Sequence, residues 1–200
     1  MAENFPYAVI VLAAGASRRM GQPKQLLPVN GHPLLRRVVQ AALDSRLGEV
    51  FVILGANAEK IRLSMEGLPV EVIVNEAWEE GMGSSIRTAM AAIDRDSRAL
   101  QGVLVALGDQ PEISAAHLTR LIQTQQSAGK SIVASRCAGK LSPPVLFGPV
   151  HFAALRNLRG DAGARALLQA NPDEIAAVDT DSLGDLDTPD DYADFLRRHA

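Results

Sequence analysis

A chain of 200 residues, 47% of them hydrophobic, is long enough to bury one full-sized core. A formal net charge of −3 and a pI near 5.8 argue against a nucleic-acid binder held by a generally basic surface, although a local basic patch is allowed. The opening run MAENFPYAVIVLAAG lacks the positive flank of a signal peptide, and its apolar part is shorter than the roughly 20 residues that span a bilayer, so no membrane association and a cytoplasmic location are expected.

Ala8–Leu12 reads as a buried strand, followed by a loop and a helix from Pro33 to Ser45. Val50–Leu54 and Val70–Val74 are the next strands, with helices at Ala58–Met65 and Ser84–Ile93. Gly102–Leu107 is a fourth strand, backed by a helix over Ala115–Ser127. Continuous apolar strands alternating with helices predict a parallel sheet covered on both faces. Beyond a strand at Ser131–Ser135 the rhythm changes. Gly139–Pro149 is rich in Gly and Pro and reads as a loop entering an irregular or antiparallel strand at Val145–Phe147. Helices over Val150–Asn157 and Gly163–Gln169 and a strand at Ile175–Val178 follow. Pro189 suits the first position of a last helix capped by Thr188. With no repeat or linker, residues 1–200 are expected to form one α/β domain. Cys137 is the only cysteine and the four histidines are dispersed, which argues against a Cys- or His-ligated metal.

Charge is segregated along the chain. Asn4 to Leu43 holds no Asp or Glu but carries Arg18, Arg19, Lys24, Arg36 and Arg37. Ile175 to Leu196 holds no Lys or Arg but carries seven aspartates, Asp185 and Asp187 among them. Arg36 and Arg37 read as an ordinary solvated helix face. Gly15-Ala-Ser-Arg-Arg-Met-Gly-Gln-Pro-Lys24 directly follows the first strand, where open parallel sheets bind their ligands. A glycine there lets backbone N–H groups approach phosphate oxygens, and the basic side chains supply countercharge. The spacing fits neither a Walker A loop nor a Gly-x-Gly-x-x-Gly fingerprint.

Leu12-Ala-Ala-Gly-Ala-Ser-Arg-Arg-Met-Gly-Gln-Pro-Lys24 resembles the signature of the MobA-like nucleotidyltransferases that act on sugar phosphates and cofactors, and among them the molybdenum-cofactor enzymes. Gln25-Leu-Leu-Pro28, Glu80-Gly-Met-Gly-Ser-Ser-Ile-Arg87, Leu107-Gly-Asp-Gln-Pro111, Leu158-Arg-Gly-Asp-Ala-Gly-Ala-Arg165 and Asp185-Leu-Asp-Thr-Pro189 continue it in family order over nearly the whole chain. The resemblance implies a Rossmann-like three-layer α/β/α fold of the nucleotide-diphospho-sugar transferase type. The Leu-Ala-Ala-Gly and Glu-Gly-Met-Gly-Ser-Ser forms look like the cytidylyltransferase branch, since the guanylyl branch more often has Gly at position 14. The implied reaction joins the CMP part of CTP to molybdopterin and releases pyrophosphate. A departure is Lys140-Leu-Ser-Pro-Pro144, where relatives commonly carry Gly-His before the proline, and it bears on the acceptor. Other phosphorylated acceptors, the guanylyl reaction, and a non-catalytic maturation partner of a molybdoenzyme or its chaperone remain open.

Expected roles follow from attack on the α-phosphorus by an anionic acceptor, a reaction whose main demands are neutralisation and in-line positioning. Arg19 and Lys24 are the expected stabilisers of phosphate charge, and Asp109 is both catalytic and a Mg²⁺ ligand. Asp187 is the expected second ligand, with Asp185 in reserve. Leu12, Ala13, Ala14, Gly15, Ser17 and Gly55, with Asn75, Ser84 and Ser85, form the expected nucleotide-binding set. Gly160, Asp161 and Gly163 are expected to shape the acceptor side. Arg18 reads as solvated surface, and Trp78 as an anchor for its loop more than a stacking platform.

Overall fold

The computed structural model describes residues 6–96, 99–161 and 163–199, without the side chain of Asp96. Strand β1 (Tyr7–Ala13) leads through a loop and a small hairpin, β2 (Pro28–Val29) and β3 (His32–Pro33), into α1 (Leu34–Asp44). Then come β4 (Gly48–Leu54), α2 (Ala58–Leu63), β5 (Glu71–Val74), α3 (Met82–Ile93), β6 (Gly102–Leu107) and α4 (Ala115–Ala128). The chain continues with β7 (Ile132–Cys137), β8 (Lys140–Phe147), α5 (Phe152–Arg156), α6 (Arg165–Ala170), β9 (Ile175–Asp179) and α7 (Pro189–Arg198).

The large sheet has the order β5-β4-β1-β6-β8-β7-β9. Its strands run parallel except β8, which is antiparallel to both neighbours. Alternation along β1 builds the layers. Val9, Val11 and Ala13 face a core shared with Leu35, Val38 and Val39 of α1 and Leu118 and Leu121 of α4. Ala8, Ile10 and Leu12 face the opposite core with Ile86 and Met90 of α3, Leu155 of α5 and Leu168 of α6. This is the expected three-layer α/β/α arrangement. The chain winds outward from β1 through β4 to β5, then returns to β6 on the other side of β1. The order therefore reverses between β1 and β6, and their carboxyl ends flank the crevice where such sheets take ligands.

The largest difference from the sequence reading lies in the segment after β7, beside the unpredicted β2–β3 hairpin and small shifts at helix ends. Lys140–Phe147 is one strand rather than a loop with a short strand at its end. Ala138 (φ +47°) and Gly139 (φ +77°) make the turn from β7. The Gly/Pro content misled because the prolines sit in a bulge. Pairing passes from Ala134↔Val145 to Ser135↔Ser142, so Pro143 and Pro144, which lack an N–H, are left out of the ladder. The last helix starts as expected, with Thr188 and Asp191 in a reciprocal capping box and Pro189 at the first position.

The bulge organises a buried polar chain. Ser135 Oγ donates to Pro144 O (2.8 Å) and lies 2.7 Å from His117 Nε2. The His117 Nδ1 atom lies 3.1 Å from Arg120 Nη2. These contacts assign the neutral Nε2–H tautomer, in which Nε2 donates to Ser135 and Nδ1 accepts from Arg120. Burial, assisted by the Arg120 charge, lowers the His117 pKa from 6.5 to about 4. Unfolded chains take up this proton below about pH 6.5 and the folded protein does not, so the associated stability is complete above that pH and declines toward pH 4. The loss amounts to about 2–3 kcal/mol. We expect His117→Gln to flatten the stability profile between about pH 4.5 and 6.5, measured by urea unfolding. A profile parallel to the wild type would remove His117 as its source.

Candidate active site

The residues after β1 form the floor of a cleft of about 560 Å³. Leu12, Ala13, Ala14 and Gly15 line one side, with Leu107, Gly108 and Asp109 from the end of β6 beside them. The loop between Gly15 and Lys24 is held by two side chains. Gln25 is buried, and its Nε2 donates to the carbonyls of Ala13 (2.9 Å) and Gly15 (3.0 Å). Ser17 takes the left-handed conformation at φ +54°. Its Oγ donates to Gln25 Oε1 (3.3 Å) and accepts from the Lys24 N–H (3.1 Å). The loop is thus held by its own side chains.

Lys24 begins a single 3₁₀ turn that aims its ammonium at two carboxylates. Nζ lies 2.5 Å from Asp109 Oδ2 and 2.7 Å from Asp187 Oδ1. Arg19 Nη2 donates to the other Asp187 oxygen at 2.7 Å. Burial pulls the Lys24 pKa down, but the Asp109 and Asp187 carboxylates outweigh it and the net shift is upward. Asp187 moves the other way. Burial raises its pKa, while hydrogen bonding and charge from Lys24 and Arg19 lower it further. Asp185 is held above the usual carboxylate range by burial and by the nearby Asp109 charge, and it accepts from Gln110 Nε2 (2.8 Å).

Asp187 reaches the site because its segment is docked. Leu186 N–H donates to Asp109 O at 3.0 Å. The Leu186 side chain enters a small third core with Met20, Leu27, Val29, Leu34 and Phe195. Alternation then turns Asp185 and Asp187 away from that core and toward Gln110 and Lys24. The same core holds Met20, and with it the Arg19 segment of the loop.

The opposite wall comes from α3 and the loop after α5. Gly81 caps α3 at φ +100°, and a Cβ there would collide with Asp161 and Gly160. Gly83 N–H donates to Gly160 O at 2.9 Å, and Arg87 Nη1 holds Leu158 O at 2.5 Å. Gly163 packs against Met82. Among the acceptor-side candidates only Asp161 lines the cleft, and Gly160 and Gly163 set the close approach of its loop. Trp78 anchors its loop against Gly55 and also borders the cleft. Its Cβ and Cγ pack where a side chain on Gly55 would stand.

A MobA-like NTP transferase domain is matched over residues 9–175. The chain belongs to the MobA-like NTP transferase family. Asp185 and Asp187 lie beyond the matched segment. The chain is 34% identical to the purine catabolism protein PucB of Bacillus subtilis, covering 96% of this chain and 97% of the relative. It is 33% identical to the nicotine blue oxidoreductase of Paenarthrobacter nicotinovorans, over 90% and 91%. Among solved structures, Rv0371c of Mycobacterium tuberculosis superposes with a TM-score of 0.83 at 32% identity, covering 95% and 97% of the two chains. That protein has also been solved in complex with manganese.

In this family member, several expected site residues are braces. Asn75 is buried and its Nδ2 donates to Ser84 Oγ (2.8 Å) and Ser85 Oγ (3.0 Å). Ser84 Oγ is further engaged with the carbonyls of Ala77 and Gly81. Asn75 and Ser84 therefore fix the start of α3, and Ser85 alone of the three lines the cleft. Ser17 folds the loop as described, and Gly55 seats Trp78. Arg18 is exposed, as the surface reading has it, and also lines the cleft, while Arg19 is largely exposed on Asp187. Gln25 and Gln110 are organising residues that the sequence reading missed. A lone polar residue amid apolar neighbours, as in Gln25-Leu-Leu and Gln110-Pro, was the available signal.

Gly15 does not adopt the left-handed conformation. The left-handed residue is Ser17, and a Cβ on Gly15 would meet nothing within 4 Å. Gly15→Ala should therefore leave stability within about 1 kcal/mol, yet weaken nucleoside triphosphate binding by ~10-fold or more, because the methyl occupies cleft space. Thermal unfolding and calorimetric titration check the two halves. Unchanged affinity would place the phosphates elsewhere.

Proposed function

We propose that this protein is a cytidylyltransferase that joins the CMP part of CTP to a phosphorylated acceptor, molybdopterin in its molybdenum-loaded form, with release of pyrophosphate. The observation that carries the reading is the Lys24 ammonium set between Asp109 and Asp187 at the mouth of the β1–β6 crevice. It sits beside the loop whose Ala13 and Gly15 carbonyls are taken by Gln25. The cytidylyl choice rests on the Leu12-Ala-Ala-Gly15 form of the loop. The acceptor choice rests on the resemblance to molybdenum-cofactor enzymes, which covers the acceptor-side block Leu158–Arg165.

The donor set fits a magnesium ion. Asp109 Oδ1 is buried without a hydrogen-bond partner, and Asp109 and Asp187 already share one cation, Lys24. Among the described residues no group of three His, Cys, Asp or Glu is arranged to hold a metal. Such a two-carboxylate site suits Mg²⁺ completed by phosphate oxygens and water. The ion would be held by Asp109 and Asp187, and would supply charge neutralisation on the triphosphate. That Rv0371c, a similar protein, has been solved in complex with manganese supports a divalent ion as the cofactor.

The protein's own groups do the rest. The N–H groups from Ala14 to Arg19 hold the β- and γ-phosphates, and Arg18 in the cleft wall adds countercharge. Lys24 stabilises the negative charge that grows on the α-phosphate and on the leaving pyrophosphate. In-line attack requires the acceptor on the far side of the α-phosphate, where Asp161, Met82 and Trp78 form the wall.

Pyrophosphate release should occur from CTP in preference to the other three nucleotides, and only with molybdopterin present. Release driven by GTP, or by a sugar phosphate or methylerythritol phosphate, would replace the donor or the acceptor. Nucleotide binding without turnover on any acceptor would make the chain a maturation partner of a molybdoenzyme or its chaperone. Lys24→Ala should lower turnover by about 10²–10³ while the protein stays folded. Asp109→Asn should abolish metal-dependent turnover, and intact metal dependence in that variant would sink the ligand assignment.

A further inference from the structure

A second cavity, of about 520 Å³, opens between α1 and α4 beside the β2–β3 hairpin. It shares no lining residue with the nucleotide cleft, and nothing in nucleotidyl transfer uses it. Its basic side chains are Arg36, Arg37 and the exposed His32. Both guanidiniums are held by main-chain carbonyls. Arg37 Nε donates to Pro111 O at 2.8 Å, and Arg36 Nη1 donates to Ser64 O at 2.8 Å and Glu66 O at 3.1 Å. Neither forms an ion pair with a carboxylate of the described residues. Each is therefore oriented by bonds that leave its charge unneutralised, and an arginine so fixed loses little freedom on gripping an anion.

The facing wall is the start of α4. The Ser114 side chain caps only the His117 N–H, so the first N–H groups of this 14-residue helix have no acceptor within the helix. Ala115 lines the cavity there, and Val29, Ala41 and Ile113 supply an apolar floor. The acidic lining residue Asp44 is bonded to Gln40. It stands seven residues beyond Arg37, roughly 10 Å along the helix axis, at the far end of the cavity.

We propose that this cavity is a binding site for a small phosphorylated metabolite. The phosphate lies between the Arg37 guanidinium and the first turn of α4, Arg36 and His32 add positive potential, and the carbon part rests on Val29, Ala41 and Ile113. A dianion matches two unneutralised guanidiniums better than a carboxylate does.

The test is residue-resolved NMR of the ¹⁵N-labelled protein titrated with inorganic phosphate, against sodium chloride at equal ionic strength and against acetate. Saturable shifts are expected at the Ala115 and Ala116 amides and at Arg37 Nε–H, with acetate weaker than phosphate. Any response at the Gly15–Arg19 loop is read separately, because those signals belong to the other cleft. Arg37→Gln should weaken the α4 response ~10-fold or more, the scale of one charge-assisted hydrogen bond, and leave the loop response unchanged. Arg36→Gln, which keeps the Pro111 contact, should weaken it by a smaller factor and serves if Arg37→Gln fails to fold. Shifts that match chloride, shifts of the same affinity in a folded variant, or acetate binding as tight as phosphate would overturn the proposal.

Discussion

The site depends on one constraint: two carboxylates, Asp109 and Asp187, brought to within hydrogen-bond reach of a single ammonium. Two like charges so close would repel in a partly buried setting, and an uncompensated one is expensive. Lys24 meets the need from one side and Arg19 from the other. The ammonium in turn is tolerated in a half-buried position because two anions outweigh its lost hydration. Each of the three central groups is stabilised by the others, with Arg19 supporting Asp187 in addition. This mutual dependence links the end of β6, the loop after β1 and the segment before α7, which are far apart in sequence.

The link is made by apolar packing as much as by charge. Met20 from the loop, Leu27 and Val29 next to it, Leu34 of α1, Leu186 and Phe195 of α7 share a small core separate from the two that sandwich the sheet. Burying this set draws the C-terminal segment across the mouth of the crevice, and the Leu186–Asp109 main-chain bond fixes its register there. The Thr188–Asp191 capping box and Pro189 then decide where the segment stops being extended and α7 begins. A one-residue shift would turn Asp185 and Asp187 into the apolar cluster and Leu186 into the cleft. The register is therefore strongly specified.

Much of this was legible in the sequence for identifiable reasons. The doubly covered sheet follows from continuous β-branched strands spaced by helices. The segregation of basic residues near the N-terminus and acidic ones near the C-terminus foreshadowed the Lys24–Asp187 and Arg19–Asp187 pairs. What was not legible is which polar side chains face the cleft and which hold it in shape. Asn75, Ser17 and Ser84 are small polar residues at loop and helix ends, suited equally to a ligand and to a neighbouring backbone. Only the three-dimensional count of donors and acceptors separates the two uses. Arg18 and Arg19 show the same limit, since of two adjacent exposed residues one lines the cleft and the other pairs with Asp187. The β8 bulge was hidden because two prolines, which suggest a loop, can also sit in a strand if the ladder skips them.

The braces explain how the proposed triphosphate cleft keeps its shape. Main-chain N–H groups are useful to phosphates only if their carbonyls are satisfied elsewhere and the loop does not collapse onto itself. Gln25 provides this by taking the carbonyls of Ala13 and Gly15 with one amide, from below the loop. Ser17, in its left-handed conformation, closes the turn by bonding to Gln25 and to the Lys24 N–H. The amide that fixes the loop and the lysine that leads to the carboxylates are neighbours in sequence. Any disturbance of Gln25 is therefore transmitted to Lys24, and through it to Asp109 and Asp187. The floor, the cation and the carboxylates are thus joined as one bonded set, anchored in the twelve residues from Ala14 to Gln25 that follow β1.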